Sequence, residues 1–287
     1  MALSINTNNG ALHAAQAASS VNRSMETSMQ RLSTGLRINA AKDDSAGIAI
    51  ATRFTAEIKG YAMAIRNASD AQAMIDVGEG ALSEVTNILQ RMREIAVQAS
   101  NDTASTADRT ALNLEYADLA KEILRIEDST TWSNDQILDG TVGTSGAVKF
   151  LIGTGSSATI TSDTLTVTFD AVSDLTTNSV STTGTVTVLT SQASAILAIS
   201  AIDADLILVN AERGQLGSKS NRLDHAVANM SNMVTNLGAA LGRVQDADFA
   251  SESSNLAKTQ ILQQASTAML AQANASKQGV LALVNGR

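Results

Sequence analysis

Apolar residues recur in steps of three and four along most of this chain, and in steps of two along one short stretch. The first stripe is Ala11, Ala18, Met25 and Leu32, spaced by sevens. Ala15, Met29 and Leu36 fill a second seam position, which Asn22 interrupts. This spacing predicts a helix with coiled-coil heptads of low hydrophobicity. Gly35 and the stretch Ala40 to Ser45 predict its end.

A second stripe runs Ala68, Ala71, Ile75, Gly78, Leu82, Val85, Leu89, Met92, Ala96 and meets the polar turn Ser100-Asn101-Asp102-Thr103. A shorter one returns as Leu112, Tyr116, Leu119, Ile123, Ile126, with Asp108 as the expected N-cap. A polar link this short predicts antiparallel packing of the two helices. Between Asp139 and Thr190 the texture changes to Gly, Ser and Thr. Apolar positions there alternate as Val148, Phe150, Ile152; Leu165, Val167, Phe169; and Val186, Val188, which is strand texture.

The longest stripe follows, from Ile199 through Val209, Arg213, Leu216, Ser220 and Leu223 to Val244, broken only by Arg213 and Ser220. One helix across it would be roughly 70 Å long. Its seven-residue period predicts left-handed supercoiling against partner helices. After Gln245-Asp246-Ala247-Asp248-Phe249, a last helix from about Ser253 carries Leu262, Ala265, Met269 and Ala273 on one face. The expected fold is therefore mainly α: a long antiparallel helical bundle or coiled coil with a small β-hairpin insert.

Composition fits that outline. Aromatic residues are 2% of the 287, and the chain has neither proline nor cysteine. A core of Ala, Leu, Ile, Val and Met suits thin helices in close approach. Without cysteine there is no disulfide, thiolate metal site or cysteine nucleophile. The net charge of −8 argues against nucleic acid or an anionic membrane as partner. No Asp or Glu precedes Glu26 and none follows Glu252. Two ends buried together in an assembly would exclude unpaired carboxylates in this way. Each end is too weakly apolar to offset its ordering entropy alone, so both are expected to fold on assembly. No N-terminal basic and apolar signal is read, and no stretch of about 20 apolar residues to span a bilayer.

Candidate chemistry is sparse. Lys42, Asp43 and Asp44 read as a capping link ahead of any acid–base role. His13 and His225 lack metal-type spacing. Gly78-Glu79-Gly80 reads as a close helix crossing instead of a phosphate loop, because Gly78 lies in the apolar stripe. Arg213 is either a snorkelling side chain or half of an ion pair with a facing helix. Met92 and Met230 sit at core spacing, as do Met29 and Met233. No catalytic, metal or cofactor site is expected, and the chain is read as a non-enzyme.

Short strings at both ends carry a family resemblance. They are Ser4-Ile5-Asn6-Thr7-Asn8, Leu32-Ser33-Thr34-Gly35-Leu36-Arg37-Ile38-Asn39, Lys42-Asp43-Asp44-Ser45-Ala46-Gly47 and Ile88 to Gln98. Asp246-Ala247-Asp248-Phe249, Gln260 to Ala265 and Leu270 to Asn274 complete the set. In this order and placement the chain resembles bacterial flagellin, in a short form. It departs at the extreme C-terminus, where Ser276-Lys277-Gln278 lacks the family's usual proline and Asn285-Gly286-Arg287 extends the end.

The resemblance implies a subunit that polymerises into the flagellar filament for motility, outside the cell. It implies an inner coiled-coil domain of residues 1–43 and 250–287, and an outer rod of 44–249 with the insert at about 139–190. Subunit contacts are expected at Ala11, Ala18, Met25, Leu32, Leu262, Ala265, Met269 and Ala273. Implied partners are further copies of the chain, a type III export chaperone, and cap and junction proteins. Arg91, Ile95 and Glu115 fall on positions that flagellins present to the animal Toll-like receptor; the alternative is that they make axial subunit contacts. A hook–filament junction protein of the same plan, and a non-polymerising coiled-coil adaptor, are the rival readings.

Overall fold

The computed structural model describes residues 7–155, 163–180 and 188–284, without the side chains of 277–284. Its elements are α1 (Asn9–Thr34), α2 (Ser45–Ala99), α3 (Thr106–Ser129), β1 (Thr131–Trp132), β2 (Asp135–Gln136), β3 (Ala147–Leu151), β4 (Thr164–Thr168), α4 (Val172–Leu175), α5 (Gln192–Gln245) and α6 (Phe249–Val284). By contacts the chain divides into a terminal unit, residues 1–56 with 236–287, and a middle unit, residues 57–235.

In the middle unit the apolar spacing fixes which faces are buried. Every position of the α2 stripe from Ala68 to Ala96 is buried. On α5 the buried spine is Ala195, Ile202, Val209, Leu216, Leu223 and Met230, one residue every seven. Three polar pairs set the antiparallel register of α2 and α5. Arg93 Nε donates to Asp203 at 2.7 Å, Arg213 Nη2 to Glu79 at 2.8 Å, and Gln72 Nε2 to Asp224 at 2.6 Å. Arg213 is thus the ion-pair option, at a half-exposed edge with 28% of its side chain exposed.

Helix α3 begins one turn ahead of the expected cap. Ser105 is the N-cap, and Asp108 is its N3 partner in a reciprocal capping box. The Ser105 hydroxyl bond to the Asp108 carboxylate holds that carboxyl below its usual range. The predicted strands appear as β3 and β4, antiparallel with Val148 opposite Val167 and Phe150 opposite Leu165. Leu165, Val167 and Phe169 are buried, so the face of the hairpin that they share closes the core. Val186 lies outside the described residues, and Val188 belongs to no strand.

Gly78 has a different reason from the expected helix crossing. A Cβ there would stand 2.7 Å from Cε1 of Phe169, so the glycine admits the hairpin's aromatic ring. Carboxylates then tie α4 and its flanks to the helices. Asp205 accepts from Asn178 Nδ2 at 2.7 Å and Ser179 N at 2.8 Å, and Glu127 accepts from the Ser173 hydroxyl at 2.9 Å. Burial pushes the Glu127 and Glu212 carboxyls above the usual carboxylate range, and the Tyr116 phenol upward as well.

In the terminal unit α1 and α6 run antiparallel. Asn8 Nδ2 donates to Ala273 O at 3.2 Å near one end, and Arg31 Nη1 lies 3.8 Å from Glu252 near the other. Their Cα atoms come within 8 Å along the seam, an approach that α2, α3 and α5 make only at isolated points. Small seam residues permit that distance. Helix α1 ends as predicted, with Gly35 in the left-handed region (φ 72°) and its N–H bonded to Arg31 O.

Candidate assembly surfaces

The α1–α6 seam is built from two heptad lines. On α1 these are Ala11, Ala18, Met25, Leu32 and a line three residues on, Ala14, Val21 and Ser28, all partly or fully buried. The line expected four residues on faces solvent instead: Ala15 is exposed and Met29 is 55% exposed. Steps alternating three and four from Ala11 lead to the true line. The polar Ser28, in a position expected to be apolar, hides it.

On α6 the seam positions follow the same rhythm: Glu252, Leu256, Thr259, Gln263, Ser266, Leu270 and Ala273. Of the residues expected there, Ala273 is in the seam. Leu262, Ala265 and Met269 are exposed, Met269 by 64%. Ile261 is exposed as well, at 66%, so several aliphatic side chains of α6 stay open to solvent beside the seam. The helix places Glu252, Thr259, Gln263 and Ser266 beside Leu256, Leu270 and Ala273 in its seam, and leaves Ile261, Leu262 and Met269 largely uncovered.

The seam is thin. Ser28 is the buried residue of α1, and Glu252 that of α6 among the described residues, against nine on α5. Arg31 Nε and Asn22 Oδ1 are buried without a hydrogen-bond partner among the described residues. A groove of about 410 Å³ runs beside them, lined by Ser24, Ser28, Arg31, Glu252 and Lys258. A buried polar atom left unpaired costs about 1–3 kcal/mol. The terminal unit by itself is therefore a poor store of stability.

The links between helices are better secured. Arg37 N donates to Gln245 O at 2.7 Å and Ala247 N to Gly35 O at 2.9 Å, around a bridge between Leu36 and Asp246. Asp43 accepts from the backbone of Asn39 and Ala40, which lowers its carboxyl below the usual range, Asn39 contributing most. Asp44 Oδ1 accepts from Gly47 N at 2.8 Å at the start of α2, and Asp248 Oδ1 from Ala250 N at 2.9 Å at the start of α6. Asp43 and Asp44 are thus engaged as caps, as expected.

Arg91 and Glu115 meet on the surface, with Arg91 Nη2 donating to Glu115 Oε1 at 2.8 Å and Nη1 to Glu94 at 2.9 Å. Hydrogen bonding to Glu115 first, then to Glu94, raises the Arg91 pKa above its ordinary value. Ile95 is a correction: it is 1% exposed and lies in the core, so no surface is made of all three. Helix α2 buries a wide arc here, and position 95 falls inside it beside Met92, Ala96 and Ala99. His13 and His225 are exposed. Met92 and Met230 are core, whereas Met233 is 41% exposed. No group of three or more His, Cys, Asp or Glu capable of holding a metal occurs among the described residues.

Charge is divided between the units. Residues 1–56 and 236–287 hold nine Lys and Arg against six Asp and Glu, a formal +3; residues 57–235 hold 11 against 22, a formal −11.

Comparison with known proteins bears on what such surfaces are for. Residues 5–143 match the bacterial flagellin N-terminal helical region, and residues 199–284 the bacterial flagellin C-terminal helical region. A flagellin of Halalkalibacterium halodurans is 43% identical over 259 residues, 90% of this chain and 91% of that protein. Flagellin A of Vibrio cholerae is 30% identical over 381 residues, 99% of this chain and 100% of that protein. That alignment is longer than the 287 residues here, so the relative carries segments this chain lacks. A putative flagellar hook-associated protein from Vibrio parahaemolyticus shares the fold, with a TM-score of 0.59, 15% identity, and coverage of 71% of this chain and 100% of that one.

Proposed function

This chain belongs to the bacterial flagellin family and is a structural subunit of the extracellular flagellar filament, and we propose that its stability and its assembly reside in different parts of the sequence. The middle unit folds as a monomer on its own core. The terminal helices become firmly ordered only when neighbouring copies cover the faces they leave open. The observation that carries this reading is the exposure on α6: Ile261, Leu262 and Met269 remain largely uncovered, beside a seam with almost no buried apolar side chain.

No bond is made or broken in this function, and the chain is not an enzyme. The work is coupled folding and association. Burying the open aliphatic faces contributes about 25 cal/mol per Å² of apolar area. Polymerisation is heterologous and open, which yields a helical filament instead of a closed ring. In the filament, residues 1–43 and 250–287 form the inner domain and 44–249 the outer rod. Ala11, Ala18, Met25, Leu32 and Ala273 shape the pair within one subunit, and Leu262, Ala265 and Met269 meet the next.

Export follows the flagellar type III route in an unfolded state. A cytoplasmic chaperone holds the C-terminal tail, and a cap protein guides refolding at the tip. A chain whose ends are marginal when alone suits that route. Arg91 and Glu115 offer a polar anchor to an animal Toll-like receptor, with Ile95 supporting the helix from within. Reporter-cell signalling by monomer should fall on Arg91→Ala; an unchanged response would remove that claim.

Electron microscopy of purified monomer after seeding or addition of salt tests assembly. Long tubes are expected. A monomer that stays dispersed, or collapses into amorphous aggregate, contradicts the reading.

A further inference from the structure

Arg37, Arg91, Arg93, Arg109, Arg125 and Arg213 each donate hydrogen bonds to a carbonyl or a carboxylate. Arg31 on α1 does not among the described residues, although its side chain is only 30% exposed. Its Nε is buried without a partner. Its Nη1 stands 3.8 Å from Glu252 on α6, beyond hydrogen-bond reach. A guanidinium is a fork of donors that fits a planar pair of oxygens, so this one is set for an acceptor the chain does not supply.

The same guanidinium lines the groove of about 410 Å³ beside the seam, which lies wholly within the terminal unit. Lys258 lines it too, exposed and without an ion pair among the described residues. With Glu252, these are the charged side chains of the lining, two positive against one negative. Ser24 and Thr27 on the α1 wall donate to Ser20 O at 3.1 Å and Arg23 O at 2.9 Å, which leaves their oxygens as acceptors. The groove thus offers strong cationic donors beside a carboxylate and hydroxyl acceptors.

We propose that this groove binds a phosphate group, either inorganic phosphate or a small phosphate monoester. Arg31 and Lys258 take its charged oxygens. Glu252 and the hydroxyls select phosphate from other anions. A phosphate group gains or loses its second proton near about pH 6, so it can accept from Arg31 and also donate to an acceptor. Sulfate and chloride can only accept. The volume falls within the range of small-ligand sites, about 300–1,000 Å³, and leaves room for an ester group. Because both helices supply the site, it exists only while they are paired. Ligand at about ten times its dissociation constant multiplies the paired population, relative to the unpaired, by about elevenfold. On the reading proposed above this readies the ends for assembly, but binding itself does not depend on that reading.

Amide exchange of residues 20–31 and 252–262 is followed in the full-length monomer at about pH 6. Inorganic phosphate and glycerol phosphate are titrated in turn, with ionic strength held constant by sodium chloride. Saturable slowing of about tenfold is expected with either. Arg31→Gln and Lys258→Gln should abolish it, and sulfate should slow exchange less. Slowing of the same size in chloride alone is screening and overturns the proposal. So does a phosphate response that both variants retain, and an equal response to sulfate overturns the assignment to phosphate. If Arg31→Gln loses helix content by circular dichroism, Lys258→Gln, at an exposed position, decides alone. Filaments formed by a chain that does not respond to phosphate overturn this inference and leave the filament reading standing. A phosphate response in a chain that forms no filaments does the reverse.

Discussion

Replacing Leu89 by alanine should destabilise the free monomer, whereas replacing Met25 should not. Leu89 is fully buried in α2, between Val85 and Met92, which are also fully buried. The substitution removes three carbons worth about 0.8 kcal/mol each in transfer. A residual cavity adds to this, for a total of about 3 kcal/mol within the usual range of about 2–5. A unit of this size loses about 2–4 °C per kcal/mol, so its midpoint should fall by about 6–12 °C. Met25 is half-buried in the thin seam, so its truncation removes about 1 kcal/mol at most, and from the terminal unit. The single tryptophan, Trp132, lies in the middle unit and reports on that unit alone. Monomer unfolding followed by Trp132 fluorescence should shift for Leu89→Ala and hold for Met25→Ala, while Met25→Ala raises the critical concentration for polymerisation. An equal shift in both would refute the division of labour, because the seam would then be part of the monomer's cooperative core.

Ser105→Ala removes the capping-box hydroxyl and should cost about 1 kcal/mol in the same assay. Gly78→Ala drives a Cβ into the Phe169 ring and should cost about 1–3 kcal/mol, with the hairpin amides exchanging faster. The buried Glu212 has a folded pKa above its unfolded one. Its stabilising contribution is therefore complete below the ordinary carboxylate range and is lost as pH rises through the raised value. Glu212→Gln should make the monomer more stable near neutral pH and flatten the decline between mildly acidic and neutral conditions; urea midpoints across that window decide it. Arg213→Met should change stability by less than about 1 kcal/mol, since its pair with Glu79 is half-exposed.

Much of this architecture is legible because the α2 and α5 stripes keep their rhythm without slipping. Leu82 to Ala96 and Ile202 to Met230 need only a period to be placed in the core. The hairpin is legible for the same reason at period two. The terminal seam is not. Its positions on α6 include Thr259, Gln263 and Ser266, and a reading that follows apolar residues moves onto Leu262, Ala265 and Met269. Those residues are exposed in the single chain, and on the reading proposed above they serve a partner outside it, which one sequence does not display. Ile95 misleads in the opposite direction. Its spacing from Arg91 suggests a shared face, but an arc wide enough to bury 92, 95, 96 and 99 leaves 91 at its rim. The link at Asp43 and Asp44 reads correctly because capping is local, fixed within four residues.

The most direct test of the account is amide hydrogen exchange measured on monomer and on filament, resolved by segment. Amides of residues 9–34 and 249–284 should exchange quickly in the monomer and become protected in the filament, while those of α2 and α5 in the middle unit are protected in both. Terminal helices already as protected in the monomer as the middle unit would contradict the claim that assembly completes their folding.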